Sequence, residues 1–408
     1  VITEQLGGSV TGKSILILCC KGNNGGDGAA LARILWPAGA DSYVVLFGKV
    51  SETRGDARVN FQITHSLSKQ QARASLHLSE VYFGQCDDST ELRNFFISYL
   101  PSRGPDVFVD ALFGTGMRGT LDEDSTEIIS EFIGLKLMTG DGVNLMISVD
   151  MPSGVLADSS EMPLNAVEIR PDTTVTFTAA KPANVLPSAS QFNGELIIAD
   201  IGSPQELIDE QPSQLYLAEQ GDAATWLKRT AFSSDSYKNK RGHALLIAGS
   251  ENYSGAAVLA ANAAMRSGVG LVTLVTPGSS KASVESRVLP EVMVRGAAET
   301  DSGAIAEDAF DELGDLFDKA DAIAIGSGMS QGESTAAFVL RVVAECRQPL
   351  ILDADALNVL APFGANWPPA DAGGSDIILT PHEGEFLRLL GDEENHPVGE
   401  TPPTLLRK

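Results

Sequence analysis

Residues Gly22-Asn23-Asn24-Gly25-Gly26-Asp27-Gly28 place four glycines in seven positions, between an apolar run at 14–20 and a helix-like run at 29–35. Such a segment predicts a strand, a tight turn and the start of a helix. Glycine allows positive φ in the turn and close approach of a ligand to the backbone, and the first helical amides are free to meet a phosphate. The spacing is not the G-x-G-x-x-G of dinucleotide folds, so a purely structural turn and a phosphate cradle fit the glycines equally well. Asn23, Asn24 and Asp27 favour the cradle, because they add polar oxygens that a plain turn does not need.

At 408 residues the chain exceeds one ordinary core, which predicts two domains. Its 43% hydrophobic content and 40 glycines fit a soluble α/β protein, and no apolar run nears the roughly 20 residues that span a bilayer. No membrane association is expected. A net charge of −25, with the acidic residues dispersed, argues against a nucleic-acid partner. An anionic small ligand would then have to be held by backbone amides and a few local cations. Cys19, Cys20, Cys86 and Cys346 form no C-x-x-C pair, and neighbouring Cys19 and Cys20 point to opposite faces of a strand. Free thiols and a reducing, cytoplasmic setting are the expectation. The chain neither starts with Met nor carries a basic-then-apolar leader, so neither a signal peptide nor a complete natural start is read from it.

Strands and helices alternate through two stretches. In the first, strands are expected at 14–20, 42–47, 107–109, 145–149, 173–178 and 195–198, and helices from 29, around 90–100 and around 125–137, with a less regular region after the second strand. In the second, strands fall at 244–248, 271–275, 322–325, 350–352 and 377–379, with helices at 256–266, 309–319, 334–346 and from 384. This rhythm predicts mostly parallel sheets covered by helices on both faces. Polar, weakly patterned residues between the stretches read as a linker, giving domains at 1–205 and 242–408 joined by 206–241.

Ligands of open α/β sheets collect beyond the carboxyl ends of the strands, where two aspartates stand. Asp110 closes one strand and leads into the glycine-rich loop 111–119, and Asp150 closes another and leads into Met151-Pro152-Ser153-Gly154. A lone aspartate at such a place commonly caps the next turn. Because carboxylates repel phosphate, Asp27, Asp110 and Asp150 suit ribose hydroxyls, a cation or proton transfer. Asn24, Asp110 and Ser153 offer oxygens suited to a hard cation, without a His or Cys set for zinc.

The segments G-N-N-G-G-D-G, V-D-A-L-F-G-T-G and S-V-D-M-P-S-G, in this order, resemble the NAD(P)H-hydrate epimerases over most of residues 10–205. The resemblance implies a Rossmann-like three-layer fold that interconverts the R and S forms of C6-hydrated NADH or NADPH. It implies that Asn23, Asn24, Gly25, Gly26 and Asp27, with Gly114, Thr115, Gly116, Met117, Arg118, Gly119, Thr120 and Asp150, contact the dinucleotide. Asn24, Asp110 and Ser153 would hold potassium, and Asp110 and Asp150 are the candidate proton-transfer residues. A desolvated carboxylate could assist ring opening and reclosure at the hydrated carbon.

The second stretch resembles the ribokinase-like, nucleotide-dependent NAD(P)H-hydrate dehydratases. The resemblance rests on Lys240-Arg241-Gly242-His243, Ala248-Gly249-Ser250, Tyr253-Ser254-Gly255-Ala256-Ala257, Arg266-Ser267-Gly268, Gly326-Ser327-Gly328, Asp353-Ala354-Asp355-Ala356-Leu357-Asn358 and Leu379-Thr380-Pro381-His382-Glu383-Gly384-Glu385. It implies that Ala256, Gly328 and His382 line the hydrated-nicotinamide site and that ADP or ATP with magnesium takes part. Asp353 and Asp355, two apart, are expected to point the same way, as a cation site or as solvated charges. The family's later G-K-G and G-[TS]-G-D motifs are missing from these 408 residues, which predicts an incomplete, inactive dehydratase half with an exposed sheet edge.

These readings predict an epimerase domain fused to a truncated dehydratase domain, acting on hydrated NADH or NADPH and open to homo-oligomer formation. A non-catalytic nucleotide-binding or interaction module and a small-molecule kinase of the ribokinase-like class are the alternatives.

Overall fold

The computed structural model describes residues 1–71, 79–139, 144–159, 167–211, 216–364 and 376–391. The chain divides into two compact units, the first spanning residues 1–212 and the second 213–401.

The first unit carries seven parallel strands: β1 (Ser14–Cys19), β2 (Asp41–Phe47), β3 (Val81–Cys86), β4 (Val107–Ala111), β5 (Leu145–Val149), β6 (Thr173–Phe177) and β7 (Glu195–Ala199). Their order across the sheet is β3-β2-β1-β4-β5-β6-β7. The chain starts in the middle, winds outward one way through β3, then returns to continue on the other side of β1. Strand β1 is buried at every position, as a strand covered on both faces must be, and its sequence is accordingly an unbroken apolar run after Ser14. Ile15, Ile17 and Cys19 pack with Ala29, Ala32, Ala57 and Phe61 on one face. Leu16 and Leu18 pack with Leu92, Ile128, Phe132 and half-buried Cys20 on the other. The two neighbouring cysteines thus face opposite layers.

The second unit repeats the winding with six parallel strands: β8 (His243–Ile247), β9 (Leu271–Pro277), β10 (Met293–Ala297), β11 (Ala322–Ile325), β12 (Leu350–Leu352) and β13 (Ile377–Leu379). Their order is β10-β9-β8-β11-β12-β13. One face is filled by Phe310, Phe317, Phe338, Val339 and Val342, and the other by Ala257, Ala261 and Val284.

The structure departs from the sequence expectation at several elements. The first long helix runs Asn23–Leu35, so Gly25, Gly26 and Gly28 belong to its opening turns and none of them has positive φ. The region after β2 holds the helix Gly55–Gln71 and strand β3. Among the described side chains of this helix the buried ones are Ala57, Phe61 and Thr64, too sparse an apolar stripe for sequence periodicity to reveal. Strand β10 and the helix Asp355–Leu360 were likewise not anticipated. The helix Gln205–Asp209 runs from the expected first domain into the expected linker, which also holds the helix Gln220–Arg229, while its residues 212–215 lie outside the described residues, as does the domain end at 392–408. No described helix is long and apolar enough to cross a membrane.

Candidate active site

In each sheet the winding direction reverses beside the first strand, and the loops leaving the two strands there diverge and open a crevice. In the first unit this point lies between β1 and β4. The helix Asn23–Leu35 starts there from extended Gly22, which has no side chain to cap it, and the first intrahelical bond runs from Gly26 N to Gly22 O at 3.1 Å. The amides of Asn23, Asn24 and Gly25 therefore lack intrahelical acceptors and form an anion-accepting helix start. The glycines that follow serve packing. A β-carbon would lie 2.7 Å from Ala57 Cα at Gly26 and 2.7 Å from Ala111 Cβ at Gly28.

Beside this helix start lies a cleft of about 1100 Å³. Its walls include Asn23, Asn24, Asp27, Gly114, Thr115, Gly116, Met117, Arg118, Thr120, Asp150 and Lys181. Sequence residues from three separate loops thus come together on one cavity. Gly25, Gly26 and Gly119 do not line it, and neither do Asp110 and Ser153.

Asp150 follows β5 with φ of +66°, a left-handed conformation that Asp tolerates better than most residues. Its backbone amide donates to Val175 O at 2.8 Å, which fixes the bend against β6. One carboxylate oxygen, Oδ2, accepts from the Thr115 amide at 3.1 Å. The other, Oδ1, lies 2.8 Å from Lys181 Nζ and accepts from Thr176 Oγ1 at 3.3 Å. Asn24 and Asp150 Oδ2 approach Gly114 so closely that a β-carbon there would stand 2.8 Å from the carboxylate and 3.2 Å from the amide oxygen. Asp27, on the facing helix, is pushed above the usual carboxylate range by burial and secondarily by the charge of Asp150.

Asp110 is placed differently from Asp150. It is fully buried and accepts four hydrogen bonds, from Ser148 Oγ (2.8 Å), Ser153 N (2.9 Å), Ser153 Oγ (2.6 Å) and Leu112 N (3.2 Å). Four acceptances fill a carboxylate's capacity. Burial pushes its pKa up while these bonds hold it down, with burial the larger effect. Outside the cleft lining, Asp110 ties the β4 loop to the turn after β5. Ser153 Oγ also accepts from Phe113 N at 3.0 Å, so it too is engaged. Of the expected cation ligands, Asn24 is the one whose side-chain polar atoms are both buried without a partner among the described residues. Among those residues no group of three or more His, Cys, Asp and Glu could hold a metal.

Sequence reasoning missed Lys181. Its ammonium donates to Thr176 Oγ1 at 2.7 Å and to Phe177 O at 2.9 Å besides pairing with Asp150. The available signal was a lysine just before Pro182 at the start of a helix that follows a strand.

In the second unit the reversal lies between β8 and β11. Gly328 has φ of +68°, and a β-carbon on it would stand 2.8 Å from Ala256 Cβ, so these two expected site residues meet. A separate cavity of about 270 Å³ reaches Ser327, Asp353 and Thr380 but not His382. His382 instead caps the helix Glu383–Leu390, its Nδ1 accepting from Gly384 N at 3.1 Å and Glu385 N at 3.4 Å. Asp353 accepts from Ser327 Oγ and Thr380 Oγ1, each at 2.8 Å, while Asp355 accepts from Ser330 N and Gln331 Nε2, also at 2.8 Å. The strand ends before them, at Leu352, and both carboxylates brace the loop after β11, with Asp353 also reaching Thr380 at the end of β13.

Residues 1–183 match the family described as YjeF-related protein N-terminus, and residues 244–401 match NAD(P)H-hydrate dehydratase. A bifunctional NAD(P)H-hydrate repair enzyme from Moorella thermoacetica is 34% identical over 96% of this chain and 68% of its own length. One from Salinibacter ruber is 33% identical over 95% of this chain and 68% of its own. The crystal structure of an ADP/ATP-dependent NAD(P)H-hydrate dehydratase from Bacillus subtilis is 34% identical over 40% of this chain and 54% of that one, with a TM-score of 0.32. With residues 244–401 matched, the comparisons do not support the expectation of a truncated, inactive dehydratase half. The chain belongs to the bifunctional NAD(P)H-hydrate repair enzymes and carries both of the family's domains.

Proposed function

We propose that the first unit epimerises the C6-hydrated nicotinamide of NADH or NADPH in the cleft between the β1 and β4 loops. The observation that carries this reading is the meeting, on one cavity, of an uncapped helix start and an aspartate whose Oδ2 also lies on that cavity's loop. In a chain of net charge −25, backbone amides are the natural holders of a pyrophosphate. Asn23, Asn24 and Asp27 on one side and Gly114, Thr115, Gly116, Met117, Arg118 and Thr120 on the other would hold the dinucleotide. Asp150 would then remove the proton of the C6 hydroxyl. As the C6–N1 bond breaks, its electron pair passes to nitrogen, the O–H pair closes the carbonyl, and Asp150 returns the proton to N1. Rotation about the neighbouring C–C bond and the reverse sequence give the other epimer, without net gain or loss of protons.

The second unit would dehydrate the hydrated nucleotide with ADP or ATP and magnesium, near the contact of Ala256 with Gly328. A potassium ion would be favoured in the first unit by the unpartnered Asn24 oxygen, although Asp110 and Ser153 would have to release bonds they make to each other to join it. A cytoplasmic location and self-association fit the reading. Two assays on the purified chain test it: chromatographic conversion of R- to S-hydrated NADH, and nucleotide-driven appearance of NADH absorbance. Failure of the first with a folded chain overturns the epimerase assignment, and failure of the second overturns the dehydratase assignment.

A further inference from the structure

We infer that Lys181 is a positioning residue for Asp150, holding Oδ1 so that Oδ2 alone is presented to the substrate. The inference rests on the epimerase reading of the cleft. Lysine has three ammonium hydrogens, and Lys181 has three acceptors at bonding distance: Asp150 Oδ1 at 2.8 Å, Thr176 Oγ1 at 2.7 Å and Phe177 O at 2.9 Å. Although the side chain borders the cavity, its donors are spent on protein. It therefore acts on the reaction through the aspartate and does not bind the ligand directly.

The arrangement is built from distant parts of the chain. Lys181 stands just before Pro182, and its own amide donates to Asn184 Oδ1 at 2.9 Å, which fixes where its stem leaves the backbone. Thr176 and Phe177 end β6, next to β5 and the bend at Asp150. Both side chains of the ion pair are less than a fifth exposed, so water does little to screen it. Loss of the ammonium would remove the one ion pair of Asp150 among the described residues and leave its carboxylate facing Asp27, free to turn about its χ angles away from the Thr115 amide.

The test measures steady-state epimerisation of hydrated NADPH by the whole chain and by Lys181→Ala, Lys181→Arg, Asp150→Asn and the Lys181→Ala/Asp150→Asn double variant. Lys181→Ala is expected to lower kcat by ~100-fold with KM changed by less than ~3-fold, because positioning of a proton acceptor is felt in the transition state. Ethylammonium added to Lys181→Ala should recover part of the rate. Lys181→Arg keeps the charge and the fold, but a planar guanidinium cannot meet three converging acceptors, so about a 10-fold loss is expected. The double variant should be no slower than Asp150→Asn. A double variant slowed by the product of both single losses, a Lys181→Ala effect confined to KM, or full activity in Lys181→Ala overturns the inference while leaving the epimerase reading intact. An inert parent chain overturns both.

Discussion

A β-carbon on Gly25 would lie 1.8 Å from the carbonyl oxygen of Cys20, so the helix Asn23–Leu35 lies against the end of β1 with no room for a side chain. The glycine acts first on the fold. Gly25→Ala is expected to destabilise the first unit by about 3 kcal/mol, at the upper end for overpacking, since the clash is with backbone and cannot be relieved by a rotamer change. Urea unfolding followed by the first unit's fluorescence would measure it. A variant with an unchanged midpoint and weakened dinucleotide binding would return Gly25 to the role of a phosphate contact.

Asp110 makes the same distinction for a charged residue. Asp110→Ala leaves the hydroxyls of Ser148 and Ser153 and the amides of Ser153 and Leu112 without their acceptor in a dry interior. At ~1–3 kcal/mol for each donor that finds no substitute, a loss of at least about 3 kcal/mol is expected. Activity would fall because the loop carrying Thr115 loses its anchor. Any residual folded fraction should regain activity at low temperature, and an inactive variant of parental stability would show Asp110 to be chemical.

That both sheets are parallel and covered on two faces could be read from the chain, because central strands such as β1 are buried on both sides and must be continuously apolar, whereas their winding could not. Asp150 was legible for a related reason: a carboxylate at a strand's end, before a turn, sits where these sheets bind ligands. Its difference from Asp110 was not. Both stand at a strand's end before a turn, and contacts from distant residues tell them apart: serines converge on Asp110 from β5 and the following turn, while Lys181 and the Thr115 amide meet Asp150. Lys181 escaped for want of any fixed spacing to Asp150, since β6 carries it there through strand pairing. The glycines of the first helix misled because their neighbours, Cys20, Ala57 and Ala111, belong to other elements or lie across a turn.

The pH dependence of stability should carry the signature of Asp27. Its folded pKa lies above the usual carboxylate value, so its protonated form favours folding. That contribution is complete below the unfolded value near ~4 and is lost as pH rises through the folded value. Asp27→Asn should therefore raise the thermal midpoint at neutral pH, with the gain shrinking toward pH ~4. Thermal scans of both proteins across this range would check it, and a gain that grows on acidification would reverse the assignment.

At Asp150 the backbone itself can be weighed. With φ of +66°, replacement by glycine relieves a conformation that alanine must endure. Both substitutions remove the partner of Lys181, so that loss cancels between them. Asp150→Gly should be more stable than Asp150→Ala by about 1 kcal/mol, and both should lose epimerase turnover. Equal stabilities would mean that the bend relaxes when the carboxylate is gone.

His382 supplies the sharpest test in the second unit, because its structural role and its expected substrate contact respond differently to one substitution. Its Nδ1 accepts from Gly384 N and Glu385 N, while Glu385 Oε2 accepts from His382 N at 3.0 Å, closing a reciprocal cap on the helix Glu383–Leu390. Asparagine is among the best caps and alanine is poor. His382→Asn should therefore keep the stability of the second unit, and His382→Ala should lower it by about 1 kcal/mol, as read by denaturant unfolding. The imidazole is two-thirds exposed beyond that cap, with Nε2 3.3 Å from Glu385 Oε1, so a ligand that takes Nε2 would have to displace that carboxylate. If it meets the hydrated nicotinamide, His382→Asn will weaken nucleotide-dependent dehydration while the helix stays capped. Dehydration at the parental rate in His382→Asn would show that the residue serves the helix alone.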